Sequence, residues 1–432
     1  MKDQHWSWER VDSLFAIGSG KTMSPKARDG LSKTPFLRTS NVFWDEIDLT
    51  ELDYMEISAD ELRNKRLHPG DLLVCEGGEI GRSAIWSGQV ETISFQNHLH
   101  RLRPHRADVD PRFYVYFFQA AFTQLGIFEG AGNKTTIPNL SRNRLGALEV
   151  PHPPVREQVG IADALAFVRN GVRKEESIVR TAQELKQATM RELFTQGLRG
   201  EGQKETEIGL VPASWGVSRF ENVREWLQYG TSVQCNSIPA KFPTLRIPNV
   251  EAAFVNVSDL KYCELPKEVA DKYLLLNGDL LFIRTNGVRE RLGKCAVYSD
   301  NPPNALFASY LIRARLLTKK VVPRYAAYFF SSELGTELVA GGATPAADGK
   351  FNLNTGAIDS ILLPVPPTLD EQQDIVEILE AIDQKIGLHN RRKTILQELF
   401  QTLLHKLMTG EVLVSDLDLS AFEIAPTVEA TI

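Results

Sequence analysis

Cysteine is scarce in this chain of 432 residues: there are four (Cys75, Cys235, Cys263, Cys295), and no two form a C-x-x-C pair. That spacing excludes a zinc ribbon or a disulfide scaffold and fits reduced thiols in a cytosol. No apolar run reaches 18 residues, and the opening Met-Lys-Asp-Gln-His-Trp-Ser-Trp lacks the apolar centre of a secretory leader. A membrane span and export are therefore not expected, and a cytoplasmic location is. There is no H-E-x-x-H, no paired-carboxylate pattern and no glycine-rich fingerprint following a strand. No metal, cofactor or catalytic residue is assigned.

Two fragments imitate catalytic motifs. "FAIGSGKT" (Phe15 to Thr22) ends like a phosphate-binding loop, but Phe15 stands where its first glycine belongs. Ser24-Pro25 follows almost at once, and Lys26 to Pro35 reads as loop where that motif needs a helix. "NPPN" (Asn301 to Asn304) lacks the aromatic that would stack on a flipped adenine.

What is present is the composition of a soluble globular protein, 43% hydrophobic and 24% charged, at a length suited to two or three domains. The net charge of −6 conceals its distribution. Residues 365–432 hold 5 Lys+Arg against 12 Asp+Glu, whereas residues 62–150 hold 11 against 8 and residues 212–364 hold 17 against 14. Two mildly basic blocks permit a nucleic-acid partner without diagnosing one.

The chain is also written twice. "PFLRTSNV" (35–42) returns as "PTLRIPNV" (243–250) and "PGDLLV" (69–74) as "NGDLLF" (277–282), both at an offset of 208. "YVYFF" (114–118) matches "YAAYFF" (325–330), and "VPHPPVREQ" (150–158) matches "LPVPPTLDEQ" (363–372). Two tandem units of roughly 210 residues follow, too long for a solenoid repeat. Gly20-Lys21-Thr22 falls opposite Gly230-Thr231-Ser232, so the turn is repeated while the lysine is not.

Each unit reads as a tryptophan-containing entry, a glycine turn, an extended segment, and a Gly-Asp turn feeding a buried strand (Leu72 to Cys75; Leu280 to Ile283). A short aromatic helix then starts at Pro111 or Pro323, with Phe117-Phe118 and Phe329-Phe330 on its core face. A proline-rich stop launches a long helix. A 4-3 seam runs through Ile161, Leu165, Val168, Val172, Glu175, Val179, Ala182, Lys186, Thr189 and Leu193. Adding 214 gives Ile375, Leu379, Ile382, Ile386, His389, Lys393, Leu396, Phe400, Leu403 and Leu407. Ile178, Leu185 and Met190 are expected to widen the first helix's apolar face.

Such seams belong to paired helices, here expected to be antiparallel, through Ile161, Leu165, Val168, Val172 and Val179 against Ile375, Leu379, Ile382, Ile386, Leu396 and Leu403. The bland alternative is that each helix packs only on its own domain. Some 33 residues at about 1.5 Å each make a rod of roughly 50 Å, long for that purpose. Antiparallel pairing would place the globular parts at opposite ends.

The fold class expected is α+β, a tandem duplicated unit in which two mixed α/β domains are separated by an antiparallel coiled coil. The expected divisions are 1–153, first domain; 154–200, central helix; 201–366, second domain; 367–410, distal helix; and 411–432, acidic tail.

Candidate ligand-contacting residues lie in corresponding segments. The second copy carries Arg284, Thr285, Asn286, Arg289, Arg291 and Lys294 after its Gly-Asp strand, able to offer forks to guanine, an amide to adenine and charge to phosphates. The first copy has only Arg82 there as a base, so the two would read different bases. Arg101/Arg103 and Arg313/Arg315, two apart, fit either a solvated strand face or DNA contact. His98-x-His100 resembles a metal spacing, but the copy has Tyr310 and Ile312. Glycine-rich loops add Lys134, Thr135, Thr136, Asn139, Arg142 and Arg144, or Lys350, Asn352 and Asn354. They suit close approach to a ligand, though an ordinary surface loop fits as well.

In the order "SGKT", "FLRTSNV", "GDLL…EIGR", "PHPPVREQ", "LFTQG", and again to "PVPPTLDEQ" and "LMTG", the sequence resembles the DNA specificity (S) subunits of type I restriction-modification enzymes. The resemblance implies two target-recognition domains, each reading half of a bipartite, asymmetric site in double-stranded DNA. Arg38, Asn41, Arg246 and Asn249 of the "LRxxNV" segments join the DNA-contact candidates. It further implies that two methyltransferase subunits dock on the helices and that motor-nuclease subunits join, so that methylation and ATP-driven cleavage belong to partners. Two other functions remain to be told apart from this one, a stand-alone nuclease or methyltransferase and a coiled-coil scaffold without DNA specificity.

Overall fold

A computed structural model of the chain describes residues 6–128, 140–289, 292–345 and 349–417. It divides into one unit of residues 1–175 with 391–432 and another of 176–390. Two α-helices, Val155–Gln196 and Leu369–Thr409, each contribute one half to each unit. Among the described residues no helix is long and apolar enough to cross a membrane.

In the first unit the central sheet runs Phe15–Ser19, Leu99–Pro104, Leu72–Cys75, Ser83–Ile85, all antiparallel. The second unit repeats it as Arg224–Tyr229, Leu311–Leu316, Leu280–Ile283, Cys295–Val297, and adds Ala253–Phe254 in parallel at the edge. A second sheet is also duplicated. Lys33–Leu37 lies between antiparallel Asp53–Glu56 and parallel Ser94–Phe95, as Phe242–Leu245 lies between Lys261–Cys263 and Leu306–Phe307. The Leu-Leu-Val-Cys and Leu-Leu-Phe-Ile strands are buried at every position, as an apolar run covered on both faces must be. The aromatic helices, Pro111–Thr123 and Pro323–Ser331, lie in the main core of their units, with Phe117, Phe118, Phe329 and Phe330 inaccessible.

The glycine turn has a steric origin. A Cβ on Gly20 would stand 2.3 Å from the carbonyl oxygens of Phe95 and Gln96, and one on Gly230 would stand 2.3 Å from those of Phe307 and Ala308. Lys21 is held by Glu61 at 2.5 and 2.7 Å. The segment expected to be loop from Lys26 instead forms a short helix, Pro25–Asp29, because Ser24 accepts the Ala27 N–H and Pro25 sits in the first turn. It is followed by strand Lys33–Leu37. The Gly-Asp turns need left-handed backbone, with φ of +91° at Gly70 and +89° at Gly278.

The "EQ" that opens each long helix is duplicated in its bonding. Trp6 Nε1 donates to Glu157 and Trp215 Nε1 to Glu371. The buried Gln158 accepts from Asp110 N and donates to the Asp108 carbonyl; Gln372 does the same with Val322 N and the Lys320 carbonyl. These bonds tie the helix start to the segment that launches the aromatic helix.

Within each unit the two half-helices run antiparallel. In the first, Gly160 faces Val414 and Gly171 faces Leu396, while Ile161, Leu165 and Val168 share a core with Phe400, Leu404 and Leu407. In the second, Lys186 bonds Asp383 and Arg199 lies 3.6 Å from Glu371, while Leu193 packs in one core with Ile375 and Leu379. Val179 is buried, and Val172, Ile382, Ile386, Leu396 and Leu403 are half-buried. The half-helices thus both pair and enter their unit's core. Leu185 is a correction: at 57% exposure it widens no apolar face, whereas Met190 is buried.

The Lys186 ammonium donates to both Asp383 oxygens at 2.6 and 2.8 Å, and the Tyr328 hydroxyl donates to the same carboxylate at 2.7 Å. A mostly buried ion pair in a helix seam fixes register more than it stabilises. Lys186→Met is expected to cost about 3 kcal/mol, since Asp383 keeps its charge without a cation. Adding Asp383→Asn, which retains an acceptor for Tyr328, should recover most of the loss in chemical denaturation; a neutral single variant would refute the pairing.

Candidate nucleic-acid interface

The "LRxxNV" asparagines build a turn. Asn41 Oδ1 accepts from Arg38 N at 2.9 Å, and its amide donates to the carbonyls of Asp48 and Glu51 at 3.0 and 2.9 Å. Asn249 repeats this with Arg246 N at 2.8 Å and the carbonyls of Asn256 and Asp259 at 2.9 and 3.0 Å. Both are buried, so their amides have little to offer a ligand. Arg38 pairs with Asp53, and Arg246 with Asp259 at 2.9 Å.

The repeated arginine pairs are likewise engaged. Arg103 grips Asp71 through Nε and Nη2, both at 2.7 Å, and Arg315 grips Asp279 the same way at 2.8 Å. Each aspartate also accepts the N–H three residues before it, from His68 or Leu276. Both carboxylates are only 1% exposed. Their hydrogen bonds raise Arg103 and Arg315 above the usual guanidinium value. Arg101 donates to the carbonyls of Asn64 and Arg66. Arg313, 2% exposed, donates to those of Leu274 and Lys272 and to Gln228, and burial pushes it down to about 10, still charged at neutral pH. A solvated strand face is thereby corrected: these four arginines close on acceptors inside their own unit, Arg103 and Arg315 because the Gly-Asp strand runs antiparallel to theirs and delivers the aspartate alongside, Arg101 and Arg313 on carbonyls of the segment before that strand.

Another group gathers at the opposite end of the Gly-Asp strand. In the first unit Glu76 N donates to the His98 carbonyl at 2.9 Å, and Leu140 N donates to the Glu76 carbonyl at 3.0 Å. In the second, Arg284 N donates to the Tyr310 carbonyl at 3.1 Å, and Leu353 N to the Arg284 carbonyl at 2.7 Å. The strand end, the tip before the next strand and the return of the glycine-rich loop therefore meet at one place in each copy. His98 Nδ1 lies 3.9 Å from Glu76, while His100 is buried with Nε2 against the Leu140 carbonyl, so the two histidines diverge. Burial lowers the His100 pKa.

At this end the second unit is cationic and aromatic. The Arg284 guanidinium lies 4.7 Å from the Tyr229 ring centroid and makes a 3.4 Å bond to the Ser309 carbonyl, its Nε having no hydrogen-bond partner among the described residues. Thr285 and Asn286 pair with Asn352 and Phe351. Tyr310 is 58% exposed. Arg289 donates to the Ala340 carbonyl, Lys294 and Lys350 are exposed, and Asn354 caps a short helix from Thr355. In the first unit Arg82 donates to the Thr39 carbonyl and lies over Phe43, and Arg142 and Arg144 are exposed on helix Arg142–Ala147. Lys134, Thr135, Thr136, Asn139 and Arg291 lie outside the described residues. Glu76, Tyr229 and Tyr310 join this end without belonging to the candidates drawn from sequence, which are bases, amides and hydroxyls; their signal in the sequence is that Glu76 and Arg284 stand at the common offset of 208.

Comparison with known proteins accords with this duplicated plan. The family model described as "Type I restriction modification DNA specificity domain" matches residues 4–178 and 232–398. The chain is 26% identical over 415 residues to the putative type I restriction enzyme MjaX specificity subunit of Methanocaldococcus jannaschii, covering 94% of this chain and 92% of that one. It is 25% identical over 394 residues to the type I restriction enzyme EcoKI specificity subunit of Escherichia coli, covering 88% and 82%. In fold it resembles the crystal structure of the type I restriction-modification system S subunit from M. genitalium, with a TM-score of 0.56 and 14% identity over 94% of this chain and 97% of that one. With the model matched twice across most of its length, the chain belongs to the type I restriction-modification DNA specificity family.

Proposed function

We propose that this chain is the DNA sequence-recognition subunit of a type I restriction-modification complex, non-catalytic in itself. The observation that carries the reading is the twofold family match on a fold whose two copies share backbone bonding but differ in side chains at the end of the Gly-Asp strand. Two unlike reading heads imply a bipartite, asymmetric site in double-stranded DNA. The helices set the spacing of its halves and dock two methyltransferase subunits, with motor-nuclease subunits completing the assembly. Methylation and cleavage belong to those partners.

Of the residues able to face a duplex, the reading favours Arg82, Arg142 and Arg144 in the first unit. In the second it favours Arg284, Thr285, Asn286, Arg289, Lys350, Asn352 and Asn354, with the outward-facing cations on phosphates. Arg38, Arg82 and Arg246 sit at the edge of this set, each already paired with a carboxylate, Arg82 with Glu79 at 3.3 Å.

The test is to purify the chain with its methyltransferase subunits, measure DNA affinity against salt, and map methylated adenines with and without it. Affinity should fall steeply with salt, by about a thousandfold between 50 and 200 mM if about six phosphates are neutralised. Methylation should concentrate on one gapped, asymmetric sequence. Binding indifferent to salt and sequence would favour the scaffold reading.

A further inference from the structure

We infer that the residue at the end of the Gly-Asp strand, Glu76 in the first unit and Arg284 in the second, is a specificity-determining contact. Arg284 reads a guanine in one half-site, and Glu76 reads a base bearing an exocyclic amine in the other. The inference rests on the proposed DNA-recognition function and adds to it which residues discriminate and for what base chemistry.

The two positions are the same place in the fold. Each backbone N–H donates to the carbonyl at the tip before the next strand, His98 or Tyr310, and each carbonyl accepts from the first leucine after the glycine-rich loop, Leu140 or Leu353. One residue earlier, Cys75 and Ile283 are buried in equivalent strands. The backbone is thus held by bonds that ask nothing of the side chain. An anion in one copy and a cation in the other is a change the fold permits and a ligand would register.

The arginine is suited to a base edge in a way its neighbours are not. Arg313 and Arg315 close on Asp279 and internal acceptors, and Arg246 on Asp259. Arg284 faces no carboxylate among its described bonds; its contacts are the Tyr229 ring and one long bond to the Ser309 carbonyl. A ring that fixes the guanidinium plane lowers the entropy of presenting a fork, and the fork matches guanine O6 and N7. Asn286 lies two residues on, its Oδ1 turned back to Val288 N.

Glu76 is the complementary case. Its carboxylate can only accept, and against a duplex it is repelled by phosphates, so it adds nothing to sequence-independent affinity. Its ion-pair partner among the described residues is the exposed His98, 3.9 Å away, rather than an arginine. An acceptor there rewards an amino group, such as cytosine N4, and penalises a carbonyl at the same point. Its carboxylate can therefore add selectivity where it adds no affinity.

The experiment uses the full chain with its methyltransferase subunits and a plasmid library randomised across the recognised site, with methylated adenines sequenced for the wild type, Glu76→Gln, Glu76→Ala, Arg284→Gln and Arg284→Ala. Each substitution should relax one position of one half-site, lowering discrimination there by about 5- to 150-fold, and leave the other half-site unchanged. The position lost with Arg284 should be guanine on one strand, and that lost with Glu76 cytosine or adenine. Unchanged preferences in all four variants overturn the inference, as does a uniform weakening across sequences with a shallower salt dependence, the signature of a phosphate contact. Variants are compared at equal thermal stability, and the isosteric Glu76→Gln guards against a folding artefact. A wild-type complex without sequence preference would instead sink the functional reading.

Discussion

Asp279→Ala should unfold the second unit at a denaturant concentration where the first remains intact. The carboxylate is 1% exposed and faces Arg315 at 2.8 Å and Arg313 at 3.6 Å while accepting the Leu276 N–H. Its removal leaves a fully buried guanidinium uncompensated and the left-handed Gly-Asp turn without its clamp. Breaking a buried pair in this way costs about 3–5 kcal/mol, a large share of what holds a domain together. Asp71→Ala should cost less, because Arg101 reaches carbonyls rather than the aspartate and is less buried than Arg313. Denaturation followed by fluorescence can separate the units in variants that keep a single tryptophan, Trp226, which lies 4.4 Å from the Arg313 guanidinium in the second unit, or Trp86 in the first. Equal losses from the two substitutions, or a loss near zero from Asp279→Ala, would contradict the ion-pair account.

Lengthening both long helices together should change the gap between the half-sites and leave the half-sites themselves unaltered. Seven residues inserted after Glu175 and seven after Asn390, where the chain passes from one unit to the other, preserve the heptad phase on both strands of the seam. At about 1.5 Å per residue the addition is about 10 Å, at most about 3 base pairs of duplex. The same insertion in the first helix alone deprives it of a partner of equal length and should abolish methylation at the original site. Methylated-adenine mapping reads all three outcomes. A matched insertion that keeps the original gap would refute the spacer role of the helices.

Much of the fold was legible because it is duplicated. A letter repeated at the matching place in both copies, at offsets that run from 208 to 214 residues, marks a place where geometry tolerates little else: glycine where a Cβ would strike a carbonyl, asparagine where one amide closes a turn, and the glutamine that pins the start of each aromatic helix. The 4-3 seam was legible for the same reason that helices pair, and none of its twenty positions is exposed. The interface was less so. Arg103 and Asp71 are 32 residues apart in sequence, and nothing in "RLR" says that an antiparallel neighbour will bring a carboxylate to it. Repetition was itself the missed clue, because the Gly-Asp aspartate and the second arginine recur together. Positions that read DNA should instead differ between copies, as Glu76 and Arg284 do, and a search for shared basic residues passes over them.

The interleaved course of the chain bears on how it is made. The second unit, 176–390, is one uninterrupted stretch, but the first buries Phe400, Leu404, Leu407 and Met408 among residues that precede position 175. A ribosome adding about 5–20 residues per second would deliver those side chains roughly 10 to 45 s after the rest of that core has emerged. During the interval Val11, Phe113 and Leu165 have an incomplete cover. Newborn chains should therefore recruit chaperones through the part translated first, and the part translated later should reach its native state sooner.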